Sequence, residues 1–330
     1  MDKKLTLVAA LVFGILCAPL LTDAQERRSE KMARIGVLSP LSAEGAAPLV
    51  EAFRKGLSDL GWVEGRNFTI ETRFAAGKVD RLPELAAQLV QRRVDMILAG
   101  SNPGILAAKN ASAAIPIVMV TTGDPVAGAL VASLARPGGN ITGVTAAGPE
   151  LIGKQLELLT EVVPRVTRVS VLVNPTSPFT GRFLEEKDRI ARALGWRLQV
   201  LAAQDPSEFE KVFAAMGSER AGAFMVLMDI MFTTHRRRIV ELAAKSRLPA
   251  IYGERGFVDA GGLMSYGAGL AGMYRQAAIY ANKVLKGAKP ADLPVEQPTT
   301  FELAINLKTA NALGLTIPKS VLLRADYIVQ

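Results

Sequence analysis

Polar side chains in this sequence collect where short apolar runs stop. The first half offers Ser39, Ser42, Ser101, Asn102, Thr122 and Asp124; the second offers Asn174, Ser177, Asp229, Tyr252 and Glu254. Taken singly, each reads as a turn-maker or a helix cap. Taken together, at the carboxyl ends of buried strands, they form facing rims where open α/β sheets bind ligands. The set contains carboxylates and hydroxyls but no lysine, and Arg255 is its one neighbouring cation. That balance suits a ligand carrying an ammonium group, which carboxylates pair with well in a water-poor cleft. Tyr252, Tyr266 and Phe179 are candidates to stack on an apolar or aromatic part of it. The chemistry expected is capture of an amino acid or a related small zwitterion, with no reaction.

Reactive chemistry has little to work with. The chain holds one histidine, His235, and one cysteine, Cys17. A His/Cys metal cluster is therefore excluded, and no carboxylate loop of the D-x-D-x-D-G kind occurs. A Ser-His-Asp set would have to use His235, with no G-x-S-x-G elbow to present a serine. Gly267–Gly272 spells G-x-G-x-x-G, yet the acidic residue expected about 20 positions on falls in the loop Lys289–Pro294, so these read as hinge glycines. The phosphate-binding G-x-x-x-x-G-K-[ST] pattern is absent. No cofactor, metal or catalytic residue is expected. Net charge is +8, but the basic residues are scattered. The one tight run, Arg236-Arg237-Arg238, reads as a solvated helix face and not as a nucleic-acid footprint.

The elements that must position these groups form two similar series. In Ile117-Val118-Met119-Val120-Thr121-Thr122-Gly123-Asp124-Pro125 a strand apolar on both faces runs into loop chemistry. Strands are expected at Arg34–Leu38, Phe68–Phe74, Val94–Leu98 and Ile117–Val120, separated by helices, one of them from about Pro48. The second half repeats this with strands at Val169–Val173, Arg197–Leu201, Ala223–Leu227 and Ala250–Gly253, and with a helix from about Thr234. Leu60-Gly61-Trp62 and Leu194-Gly195-Trp196 close the first helix of each series and contain both tryptophans of the chain. With 330 residues, 49% of them hydrophobic, two cores can be filled. The fold expected is α/β: two similar doubly wound parallel-sheet lobes. Asn140–Val144, Leu263–Gly267 and Glu296–Thr300 resemble one another and would cross between the lobes as a three-segment hinge. One lobe would then comprise residues 33–143 plus 267–298, the other residues 147–264 plus 301–330.

Residues 1–24 stand apart. Lys3 and Lys4 precede an apolar run from Leu5 to Leu16, and Thr22-Asp23-Ala24 offers small residues for cleavage. This reads as a secretory signal peptide, too short to span a membrane as a helix. Gly14-Ile15-Leu16 is a poor box for lipidation of Cys17.

Several stretches also resemble a known family, the substrate-binding proteins of ABC importers, in its tryptophan/tyrosine-type branch. They are Leu60–Asn67, Asp80–Ala86, Asp124-Pro125-Val126, Leu134–Gly143 and Phe301–Ala310, and the likeness covers nearly all of residues 33–330. The resemblance implies the type I periplasmic-binding fold, closure around a small ligand, a membrane permease as partner and a periplasmic location for a monomer. Two other classes remain beside it: a ligand sensor for a signalling protein, and a two-domain enzyme acting on sugars or nucleotides.

Overall fold

The computed structural model describes residues 32–146, 149–164 and 166–330, so the expected signal segment with Cys17 lies outside the described residues, as does the side chain of Phe179. The strands are β1 (Ala33–Ser39), β2 (Phe68–Phe74), β3 (Met96–Gly100), β4 (Ile117–Thr121), β5 (Ile141–Thr145), β6 (Arg168–Val173), β7 (Arg197–Ala202), β8 (Ala223–Val226), β9 (Ala250–Tyr252), β10 (Met264–Ala268), β11 (Phe301–Asn306) and β12 (Tyr327–Val329). They form two separate sheets. The first has the order β2-β1-β3-β4-β5, and the second β12-β11-β10-β9-β8-β6-β7. The first is parallel throughout. The run from β7 to β10 reproduces its order and is likewise parallel. Beyond it β11 pairs antiparallel with β10, and β12 runs parallel to β11 at the edge.

Alternation along the strands splits each sheet into two apolar faces. In lobe 1, Val37, Met96, Leu98, Val118 and Val120 pack with Phe53 of helix Ala43–Asp59 and Ala277 of helix Leu270–Leu285. Their neighbours Leu38, Ile97, Ala99, Ile117 and Met119 pack on the other face with Leu85 of helix Leu82–Gln91 and Ile105 of helix Asn102–Ala111. In lobe 2, Val171, Met225 and Ile251 face Leu156 and Phe183, while Leu172, Phe224 and Tyr252 face Phe209 and Ile239. Each lobe is thus a sheet wound with helices on both faces, which leaves the strands' carboxyl ends free to carry polar loops.

Three expectations are corrected. Asn140–Val144 and Leu263–Gly267 supply the fifth strand of each lobe, β5 and β10, and the chain crosses directly after each; their small and β-branched residues are buried within the sheets. Of the three segments only Glu296–Thr300 makes the crossing itself, beginning with Glu296 bridged to Val144. The first helix starts five residues before Pro48, at Ala43, because Ser42 Oγ accepts from Gly45 N at 3.2 Å and caps it. The helix expected from Thr234 is two pieces, Ile230–Thr234 and Arg236–Lys245, joined at His235.

Candidate functional site

Between the two sets of strand ends lies a cavity of about 460 Å³, within the ~300–1,000 Å³ range usual for small-molecule sites. Lobe 1 contributes the residues after β1, β2, β3 and β4, and lobe 2 those after β6, β7, β8 and β9. Of the expected site residues, Ser39, Ser101, Asn102 and Thr122 line it from lobe 1, and Asn174, Ser177, Asp229 and Glu254 from lobe 2.

The lobe 1 wall is built by a chain of hydrogen bonds. Thr121 Oγ1 accepts from Gly123 N at 2.9 Å and donates to Asn102 Oδ1 at 2.7 Å. This fixes the Asn102 amide, and its Nδ2 is buried with no hydrogen-bond partner within the protein. The amide lies so close over Gly123 that a Cβ there would come 2.5 Å from Nδ2, so a larger residue at that position would displace the Asn102 side chain. Ser101 precedes helix Asn102–Ala111 with φ 65° and ψ 156°, a conformation natural to glycine, and its hydroxyl caps nothing. Ser101 Oγ, like Asn102 Nδ2, is buried and unpartnered. Such atoms cost about 1–3 kcal/mol each when left unmatched.

The lobe 2 wall is acidic. Asp229 caps helix Ile230–Thr234, its Oδ1 accepting from Met231 N at 2.9 Å. Burial pushes its carboxyl above the usual range, and hydrogen bonds from the Asn174 side chain and the backbone of Met231 and Phe232 hold it back in part. Glu254 is 7% exposed. Its carboxyl is also raised by burial, against a hydrogen bond from Thr233 and the charge of Arg236. These are the two carboxylates among the lining residues, which include neither lysine nor arginine. Two desolvated carboxylates without a cation in the cavity wall favour a positively charged guest.

Four expected residues are not brought to the cavity. Ser42 is spent on its helix cap. Asp124 Oδ1 accepts from Val126 N at 2.9 Å and Ala127 N at 3.1 Å, holding the turn after β4. Tyr252 points into the core of lobe 2, stacked on Phe257 with centroids 4.5 Å apart. Tyr266 packs on Phe301 at a second hollow, away from the cleft. Arg255, expected beside the set, pairs with Asp259 and Glu302, and Arg236 is the cation that acts on Glu254.

Other lining residues were not anticipated. Tyr274 reaches the cavity from helix Leu270–Leu285, its phenol pushed up to about 12 by burial. Thr233, Thr234 and His235 enter because the helix after β8 breaks there. Leu41, Leu49, Val79, Met228 and Met231 supply apolar surface. The rims also touch: a Cβ on Gly77, at φ +83°, would lie 2.8 Å from Thr234 Cγ2 across the cleft.

Two lobes of matching topology around a rim-lined cavity define the two-lobed architecture of type I periplasmic-binding proteins. The match to known proteins is more particular. Residues 34–329 fit the family described as ABC transporter substrate binding protein, and the chain belongs to that family. It is thus a binding protein and not an enzyme. A curated relative, the tyrosine-binding protein of Clostridioides difficile (strain R20291), is 25% identical over 96% of this chain and 94% of its own. Among solved structures, the ABC domain in complex with L-Trp from Streptococcus pneumoniae superposes with a TM-score of 0.83 at 27% identity, over 91% of this chain and 100% of that one. A conserved domain protein from Vibrio cholerae gives a TM-score of 0.83 at 26% identity, over 90% and 100%.

Proposed function

We propose that this protein captures an α-amino acid with a large side chain in the cleft and delivers it to an ABC importer's membrane permease. The observation that carries the reading is the opposed polarity of the two walls. Unpartnered hydroxyl and amide groups stand on lobe 1 at Ser101 and Asn102, and desolvated carboxylates stand on lobe 2 at Asp229 and Glu254. A zwitterion matches both: its carboxylate takes the lobe 1 donors and its ammonium meets the lobe 2 acids. Because one ligand must touch both walls to satisfy both charges, it favours the closed arrangement by its differential affinity for that state. The apolar lining leaves room for a side chain, in keeping with the tyrosine and tryptophan named for the relatives.

The same reading takes Ser39, Thr122, Asn174 and Ser177 as rim contacts and removes Tyr252, Tyr266, Ser42 and Asp124. It assigns residues 1–24 to export, and the expected lobe bounds move to the strand ends, with β5 (Ile141–Thr145) closing the first part of one lobe and β10 (Met264–Ala268) that of the other. It makes the mature protein a periplasmic monomer with no nucleic-acid partner. Among the described residues, no helix is long and apolar enough to cross a membrane. The test is mass spectrometry of whatever small molecule is released on denaturing the purified mature chain, followed by calorimetric titration with an L-amino-acid panel. Release or binding of an amino acid supports the reading; a bound sugar or nucleotide with no amino-acid binding overturns it.

A further inference from the structure

In lobe 2 one sheet face continues past the core it covers. Met264, Leu303 and Ile305 of β10 and β11 are buried in that core. Side chains two residues apart share a face, so Tyr266 and Phe301 extend the same surface. The register sets Tyr266 opposite Leu303, with Phe301 on its diagonal, which is within reach for aromatic side chains. The cover thins here: Tyr266 is half-buried and Phe301 is 39% exposed. Their rings lie 5.8 Å apart at an angle of 31°. Together with Ile190 they line a hollow of about 690 Å³ that shares no residue with the cleft. Its size lies within the ~300–1,000 Å³ usual for small-molecule sites.

The charges around this hollow are the reverse of those in the cleft. Lys154 lines it from helix Pro149–Val162 and Arg189 from helix Pro178–Leu194, against the single carboxylate of Glu157. Each cation is held by a neighbour on its own helix. Lys154 Nζ lies 3.0 Å from Glu157, and Arg189 Nη2 lies 2.9 Å from Glu186. Exposed pairs of this i,i+3 kind contribute little to stability, so either cation can turn to an incoming anion at small cost. The cleft, by contrast, presents two carboxylates and neither lysine nor arginine. An aromatic pair beside two recruitable cations suits a guest with a flat apolar body and a negative end.

The hollow also reaches the chain crossings between the lobes. Ala146 directly follows β5, and Gln297 and Pro298 belong to the segment that crosses back before β11. Lobe rotation is absorbed in connecting residues of this kind. The aromatic pair and the cations lie on elements of lobe 2 and move with it. The shape of the hollow is therefore tied to the angle between the lobes. In the arrangement described here the rims meet at Gly77 and Thr234, so a guest that fits this hollow favours the closed form and is favoured by it in return.

We propose that the hollow is a second ligand site: it takes a small aromatic carboxylate, whose ring rests on Tyr266 and Phe301 and whose charge pairs with Lys154 and Arg189, and its occupation favours lobe closure. The site is independent of the amino-acid reading above and stands whatever the cleft takes.

The experiment is calorimetric titration of the mature chain with phenylacetate and with its neutral isostere phenylacetamide. The proteins are the wild type, the double variant Lys154→Gln with Arg189→Gln, and Phe301→Ala, each checked for folding by thermal melting. The wild type should bind phenylacetate about tenfold or more tightly than phenylacetamide. The double variant should bring the two within about twofold, and Phe301→Ala should weaken both by about two- to tenfold. Small-angle X-ray scattering of the wild type should shift toward the more compact form when phenylacetate is added, and that of the double variant should not at the same concentration. Absence of phenylacetate binding, binding indifferent to the probe's charge, or binding unchanged in both folded variants would overturn the site, the last by putting the probe elsewhere. Binding at the hollow with unaltered scattering would overturn its coupling to closure.

Discussion

The two rims are built on one strand order and arrive at opposite chemistry. After β3, lobe 1 places Ser101 and Asn102 at the head of a ten-residue helix. After β8, the matching strand of lobe 2, Asp229 heads a helix of five residues that breaks at His235. After β4 the chain runs through Thr122 and Gly123, and after the matching β9 it reaches Glu254. One wall therefore offers unpartnered hydroxyl and amide groups, and the other offers carboxyls whose charge is disfavoured by burial. A repeated scaffold fixes where side chains stand, while the loop residues decide which end of a dipolar ligand each lobe receives. Under the function proposed above, neither wall is satisfied alone, which gives the ligand a reason to hold the lobes together.

The strongest way to break this comparison is to neutralise the acidic wall. Glu254→Gln and Asp229→Asn should each weaken amino-acid binding by about 10- to 100-fold, the value of a charge-assisted hydrogen bond. The same substitutions should leave the ligand-free protein as stable or more so, by up to about 1 kcal/mol, because each removes a poorly compensated buried carboxylate. Titration calorimetry and ligand-free melting curves read the two effects, and a loss of stability with unchanged affinity would mean the acids are structural.

Contact between the walls comes next. Gly77→Ala adds a Cβ that meets Thr234 across the cleft, so affinity should fall about tenfold or more if closure needs that approach, while the left-handed backbone there makes any side chain cost about 1–2 kcal/mol of stability. Gly65→Ala is the matched control: Gly65 has φ +80° but nothing within 4 Å of the added atom. It should lose similar stability and keep its affinity. A third change, Ser101→Gly, relaxes the strained rim residue while deleting its hydroxyl. It should raise ligand-free stability by about 1 kcal/mol and lower affinity about three- to tenfold, since glycine occupies this conformation freely.

Much of this arrangement is legible in the sequence, and the parts that are not share a cause. The eight principal strands, the two-lobe repeat and the polar strand ends follow from apolar runs with turn residues behind them, which are local properties. Ser39, Ser101, Asn102, Thr122, Asn174, Ser177, Asp229 and Glu254 reach the cavity because loops after parallel strands point one way. Tyr252 was misplaced for want of strand alternation: it follows Ile251, which faces Leu156, and so must turn to the opposite face with Phe224. Tyr274 and Thr234 sit on helices whose distance from the cleft depends on how those helices dock, which no local pattern records. The break at His235 is equally hidden, because the residues from Ile230 to Lys245 contain no proline or glycine to mark it.

The smallest expected effect concerns protons and distinguishes the walls without any mutation. Asp229 and Glu254 both have carboxyls raised in the folded, ligand-free protein, with burial as the leading cause. A raised native value means the folded state holds protons that the unfolded chain has released. Stability therefore falls as pH climbs from the ordinary carboxylate range through the raised values, and levels off above them. The hydrogen bonds from Asn174 and Thr233 and the charge of Arg236 oppose burial, which keeps the effect modest. An ammonium-bearing ligand favours the ionised acids, so its binding should release protons inside that window and flatten the dependence. Melting temperatures of the ligand-free and ligand-saturated protein across mildly acidic pH, with calorimetry in buffers of different ionisation enthalpy, measure both. If the ligand-free slope were absent, or unchanged by ligand, the ammonium would not be seated on the acidic wall, and the polarity assigned to the two lobes would have to be reversed.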